Sequence, residues 1–308
     1  MISLRIMKKA RKQHFIPRFY LENFTFDRNR EKIYCYDKVQ DKSYICNIKD
    51  IGQENDFYEI SGVTNNEFEK SISIFEGSIC SPAYNTLLVN RNFELSLKDK
   101  ENLFLCLAFQ HIRSNDDRYS INELSIKIRD ELIRVYGNTA HVQDSINNLE
   151  KQKALHLATV FNENTDKDIQ KKANLFLSRK WSVLTNAIQD RPFIISDNPL
   201  AFSNLNRDDN VAFMLEGSKI HFPLSSNLIL YSDCNNSQTL TSNRATEVEV
   251  TEANTAQIKS SSRFIYQNND NFDFVQKFLS RYPKFRKQYR AKYVVSIKNN
   301  ILTTKLID

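Results

Sequence analysis

The sequence predicts an α+β protein: a mixed or antiparallel sheet from N- and C-terminal segments, with a central helical block between them. Three observations predict it. Residues 31–48 alternate polar and apolar with the period of two of half-buried strands. From Asn65 the apolar period lengthens to nearer 3.6, and helical patterning continues to about residue 178. After Arg179 short strand-like runs return. The expected organisation is one compact unit over 1–308, β-rich at 12–60 and 180–308 and helical at about 65–178.

Each element has its own signal. Pro17 suits the first turn of a short helix over Arg18–Phe24, because its missing N–H has no intrahelical partner there. Glu31–Asp37 and Lys42–Ile48 form a hairpin, and Asn55–Ile60 a further short strand. Phe68, Ile72, Phe75 and Ile79 mark one helical face. Ser96-Leu97-Lys98-Asp99 resembles a capping box and opens the next helix. Further helices are expected at Ser120–Tyr136, Asp144–Phe161 and Asp166–Leu177. Strands follow at Trp181–Ala187, Pro192–Ser196, Lys219–Pro223 and Asn227–Tyr231. A helix is expected over Glu247–Ser260, a strand over Arg263–Tyr266, and a terminal hairpin turning at Asn299-Asn300.

Composition narrows the classes. The 308 residues carry a net charge of +6, a mild excess that permits but does not demand a nucleic-acid partner. One basic stretch, Lys277–Lys292, interleaves cations with Phe278, Tyr282, Phe285 and Tyr289, as an amphipathic element or a phosphate-binding surface would. Five scattered cysteines form no CxxC pair and read as free thiols. With 5 glycines and no P-loop, G-x-G-x-x-G or G-x-S-x-G motif, nucleotide-dependent kinase, dehydrogenase and α/β-hydrolase chemistry are disfavoured. Met1–Lys12 lacks the apolar core of a secretory leader, and no apolar run approaches the ~20 residues that cross a bilayer, so a cytoplasmic setting without membrane association is expected.

Four clusters carry candidate chemistry. Lys12–Phe24 packs His14, Arg18 and Tyr20 beside a proline-started helix; His14 reads either as a general base or as a group bonded at the helix entry. Gln110 and Arg113, three apart on one helical face, hold either a phosphate or carboxylate or an acid of the protein such as Glu76. Ser196-Asp197-Asn198-Pro199 ends a strand, either as a structural turn or as a site in which Asp197 orients His14 or takes a metal. Glu69 and Glu76 share a helical face, but no local spacing supports a metal centre, so no metal and no cofactor are assigned.

The order of these motifs resembles one bacterial family, domain of unknown function 4238. The resemblance rests on Gln13–Phe24, Ile33–Lys38, Glu54–Tyr58, a helix with Glu69 and Glu76, Gln110–Arg113, Phe193–Pro199 and Phe222–Ser225. One departure is Ser114-Asn115, where the family usually has Thr-Pro. The resemblance implies an accessory protein of bacteria and their mobile elements, with a role in phage defence or as a toxin-like effector. The leading expectation is a metal-independent nuclease, RNA favoured. His14 is its base or acid, Arg18 and Arg113 hold the phosphate, Gln110 positions it and Asp197 orients His14. Tyr20, Glu76, Ser196 and Asn198 complete the pocket as binding residues. The alternative is a non-catalytic sensor or binding module for an anionic ligand or a phage protein. Expected partners are RNA or DNA and a protein of a defence system.

Overall fold

The computed structural model describes residues 12–55, 66–89, 93–147, 166–188, 190–204, 217–236, 240–287, 292–298 and 301–307. The described chain opens with β1 (Lys12–His14), the one-turn helix α1 (Arg18–Leu21) entered through Pro17, and a 3-10 turn at Glu22–Phe24. The hairpin follows as β2 (Lys32–Asp37) and β3 (Lys42–Asn47), antiparallel with Lys32 opposite Asn47. Asp27 fixes its start by accepting from the amides of Glu31 and Lys32 at 2.9 and 2.7 Å. β4 (Gln53–Asn55) then returns against β1, with Gln53 opposite His14. Gly52 makes that return possible. Its φ is +61°, and its carbonyl accepts from the amides of Phe15 and Ile16 at 2.8 and 3.1 Å. A Cβ there would stand 2.9 Å from that of Ile16, so the close approach needs glycine. Residues 56–60 of the expected strand lie outside the described residues.

The helical block contains α2 (Asn66–Phe75), a π-turn at Glu76–Cys80, and α3 (Ser81–Leu88). Next comes α4 (Leu97–Ile112), capped by Ser96, whose Oγ accepts from the Asp99 amide at 3.1 Å. α5 (Asn115–Tyr136) begins five residues before Ser120. Residues 140–147 form α6, and the rest of the helix expected to reach Phe161 lies outside the described residues. α7 (Asp166–Leu177) has the expected bounds.

The remainder is mainly strand: β5 (Arg179–Thr185), β6 (Ile195–Ser196), β7 (Ala201–Asn204), β8 (Ser218–Ser225), β9 (Leu228–Asn236) and β10 (Leu240–Arg244). Helix α8 (Glu247–Ser260), β11 (Phe264–Gln267), α9 (Asp273–Arg281) and the hairpin of β12 (Lys292–Lys298) and β13 (Ile301–Ile307) complete it. The strand expected over Pro192–Ser196 shortens to two residues for a physical reason. Phe193 and Ile194 direct their amides elsewhere, to the Ser226 carbonyl at 2.8 Å and the Asn254 side chain at 3.1 Å.

Two larger sheets result. One, ordered β3-β2-β11-β6, is antiparallel and joins N- and C-terminal segments as expected. The other, ordered β10-β5-β9-β8-β7, is mixed because β10 runs parallel to β5. The largest core cluster draws Phe15, Ile16 and Tyr20 together with Leu107 of α4, Trp181 of β5 and Phe222 of β8. The opening motif is therefore wedged between the helical block and the mixed sheet. In the basic C-terminal stretch, α9 buries Val275 and Leu279, while Arg286 pairs with Asp41 at 2.8 Å. Its described part is thus amphipathic, with the apolar face in the core.

Candidate functional site

Phe15 is where the candidate groups meet. Its amide is held by Gly52, and its carbonyl accepts from Gln110 Nε2 at 3.1 Å. Gln110 is buried on the last turn of α4, and Arg113 is the helix C-cap three residues on. Arg113 Nε and Nη2 both donate to Gln110 Oε1, at 3.0 and 2.8 Å, and Nη1 pairs with Glu76 at the head of the π-turn. The guanidinium also lies 4.5 Å from the centre of the Phe109 ring. The arginine, 2% exposed, is thus paired and hydrogen-bonded, as a buried charge must be. Of the two readings for Gln110 and Arg113, an internal acid is the one seen.

His14 stands beside this pair. Its imidazole donates to the Ile48 carbonyl and feels the charges of Arg18, Glu76 and Arg113. Burial, then the Arg18 charge, lowers its pKa; the Ile48 bond and the Glu76 carboxylate oppose that shift. The neutral form expected of a general base is favoured, chiefly through burial. The structure thus brings His14, Arg18, Glu76, Gln110 and Arg113 together.

It does not add Asp197. That carboxylate accepts from three backbone amides, Ser262 on Oδ1 at 2.7 Å and Arg263 and Phe264 on Oδ2 at 2.7 and 2.9 Å. Burial raises its pKa, against those bonds and the nearby Lys38 ammonium. It ties the end of β6 to the start of β11 and does not orient His14. Ser196 and Asn198 belong to the same turn. Ser196 Oγ donates to the Asn198 carbonyl at 2.8 Å, and Gln257 of α8 holds the Pro199 carbonyl at 2.7 Å. Tyr20 is a core residue whose hydroxyl donates to the Pro223 carbonyl at 2.6 Å beneath the stacked Phe222 ring. The side chain of Glu69 lies outside the described residues.

Two further features stand out, of which the second escaped the sequence. One is His221, a scattered histidine whose expected reading is structural or solvent-exposed; it is buried in β8, with Nε2 2.8 Å from Ser203 Oγ and its pKa pushed down to about 3 by burial and then Lys219. So weak a base is a poor activator for the serine. The other is a cavity of about 630 Å3 whose wall includes Phe15, Tyr44, Cys46, Gln53, Asp197 and Phe264, but not His14, Gln110 or Arg113. Gln53 lines it, though its Oε1 is buried in the protein without a hydrogen-bond partner. Cys35 and Cys46 are diagonal neighbours across the β2–β3 hairpin, and both thiols are free. Among the described residues, no group of three or more His, Cys, Asp or Glu side chains could hold a metal ion, and no helix is long and apolar enough to cross a membrane.

A family model described as "Protein of unknown function (DUF4238)" matches residues 12–271. The chain belongs to that family. The match takes in every site residue named above, so the Phe15 junction and the cavity both fall within the DUF4238 region. No curated protein and no solved structure is significantly similar to this DUF4238 chain.

Proposed function

We propose that this DUF4238 protein is a non-catalytic binding module, and that the cavity next to Phe15 is its ligand site. One observation carries the reading. Of the expected phosphate holders, Gln110 donates to the Phe15 carbonyl and Arg113 donates to Gln110 and Glu76, while the open volume has neither residue in its wall. An enzyme that stabilises developing charge needs donors aimed at the reacting group; a sensor needs a concave, partly apolar pocket with a few polar groups. The test is incubation of the purified protein with total RNA and with plasmid DNA, with and without EDTA. A filtered extract of small cellular metabolites is scanned in parallel for a rise in Tm. The expected outcome is intact nucleic acid and a raised Tm; cleavage that His14→Ala abolishes would overturn the reading.

A second reading, the metal-independent nuclease with RNA as substrate, keeps one observation in its favour. His14 is biased to its neutral form beside the exposed Arg18, and it stands opposite the cavity residue Gln53 in strand register. The same incubation decides between the two. Either role suits a bacterial defence sensor or effector, the setting the motif resemblance implies, in the cytoplasm that the cysteine pattern and the absence of a leader-like or spanning run suggest.

A further inference from the structure

We propose that Cys46 and Cys35 form a thiol-exchange site in the cavity wall, whose substrate class is the low-molecular-weight disulfides. Cys46 is thiolated, and Cys35 then displaces the adduct to leave a Cys35–Cys46 disulfide. The site goes beyond the binding-module reading, and its chemistry does not depend on the cavity holding a further ligand.

Strand register makes the pair. In the β2–β3 hairpin Ile33 stands opposite Cys46, and Cys35 stands opposite Tyr44. Cys35 and Cys46 are therefore diagonal neighbours on one face of the sheet. Their thiols interact closely enough for each to be the first cause of the other's pKa shift, upward for Cys35 and downward for Cys46. Cys46 thus ionises first, and the thiolate is the nucleophile. Both residues line the cavity of about 630 Å3; Cys46 is half-buried there and Cys35 is buried. The sulfur that ionises more readily is also the one a reagent reaches. Cys35 needs no access of its own, because its target is the adduct on Cys46. β3 is the edge strand of its sheet, paired with β2 alone, so the small backbone shift that a diagonal disulfide requires disturbs one ladder.

The exchange balances. The Cys46 thiolate attacks one sulfur of a disulfide RSSR, forming the mixed disulfide and releasing the first thiolate. Thiolation removes the interaction that most raises the pKa of Cys35. The Cys35 thiolate then attacks Cys46 Sγ and expels the second. The protons of the two cysteines pass to the departing thiolates, so RSSR leaves as two molecules of RSH. Where small thiols are kept reduced such a bond is transient, and the pair reports a rise in their oxidised fraction. Cys80 and Cys106 supply the contrast. Burial, then the Cys80 thiol, raises the pKa of Cys106, and both sulfurs are buried away from the cavity.

Full-length reduced protein is incubated with oxidised glutathione at about 5 mM, and remaining thiols are blocked with N-ethylmaleimide. Tryptic peptides are then read by mass spectrometry without reduction. Trypsin places the two sulfurs in separate peptides, 33–38 and 43–49. The expected result is that 33–38 becomes joined to 43–49 while Cys80 and Cys106 stay reduced. In Cys35→Ser the join is lost and glutathione remains on Cys46. In Cys46→Ser, thiolation of Cys35 falls at least about tenfold. Should circular dichroism show that Cys35→Ser fails to fold, wild-type protein at early times carries the comparison, with the Cys46 adduct preceding the join. An unmodified Cys46, a lasting wild-type adduct without the join, or equal oxidation of Cys80 and Cys106 overturns the inference. None of these outcomes bears on the Tm test of the ligand site, so the two readings fail separately.

Discussion

Two regions share Phe15 and use the space around it in opposite ways: one is filled with paired polar groups and the other is open. Around Gln110 and Arg113 the buried amide and guanidinium bond to Glu76, to each other and to the Phe15 carbonyl. Along the cavity a half-buried thiol, Cys46, and the rings of Phe15, Tyr44, Phe264 and Tyr266 border open volume. Satisfied polar networks rigidify a core, whereas a concave, partly apolar space can take a ligand. The contrast teaches that Gln110 and Arg113, the residues richest in apparent chemistry, bond within the protein.

The sharpest way to break this comparison is Arg113→Met. Removing the cation leaves Glu76 and Gln110 Oε1 without their partner in a largely dry site. The cost expected is about 3–5 kcal/mol, read from urea unfolding by circular dichroism. Protein that remains folded at low temperature should still gain Tm from the metabolite extract, since Arg113 is not part of the cavity wall. A loss below about 1 kcal/mol, together with lost binding, would place Arg113 in the ligand site instead.

Much of the fold was legible because its signals are local. Ser96 announces α4, and Thr246 with Glu249 forms the capping box that starts α8 at its expected residue. β7 and β10 were not. Leu-Thr-Ser-Asn-Arg of β10 is mostly exposed and lacks apolar alternation; it is a strand because β5 offers a parallel partner. The candidate site divides in the same way. That Gln110 and Arg113 share a face follows from their spacing, and Glu76 was one partner that spacing allowed. The role of Asp197 depended on β11 lying beside β6, with its amide partners 65 to 67 positions away. The cavity was illegible because its wall is assembled from separate segments, 15, 35, 44–54, 197 and 262–266, each ordinary alone.

Acid should weaken the closed regions before it touches the cavity's aromatic wall. His14 and His221 both have lowered folded pKa values, so the unfolded chain binds their protons more tightly. Their contributions are complete above the ordinary value of 6.5 and are lost as pH falls below it, for His221 over the span from 6.5 towards about 3. One histidine changes stability by at most ~1.4 kcal/mol per pH unit, so His221 removes about 2–3 kcal/mol over two units. Urea midpoints at descending pH should therefore fall less steeply for His221→Gln than for wild type. His14→Gln should flatten the curve by a smaller amount, because His14 is less buried. Parallel curves for all three proteins would show that neither histidine is held neutral by the fold.

Tyr20→Phe is the smallest and most diagnostic change. Tyr20 was expected to help bind a ligand, yet its hydroxyl is buried and donates to the Pro223 carbonyl, linking the opening motif to β8. Phenylalanine keeps the ring against Tyr84 and Phe222 and deletes one hydrogen bond, leaving a buried carbonyl that has lost a donor. The expected cost is about 1–2 kcal/mol in urea unfolding. The rise in Tm from the metabolite extract should be unchanged, since Tyr20 is not part of the cavity wall. Stability near wild type with a weakened rise would reverse both assignments, moving Tyr20 from the closed region to the ligand site. The substitution thus tests whether the two regions that meet at Phe15 are energetically separate, as their distinct hydrogen-bond patterns imply.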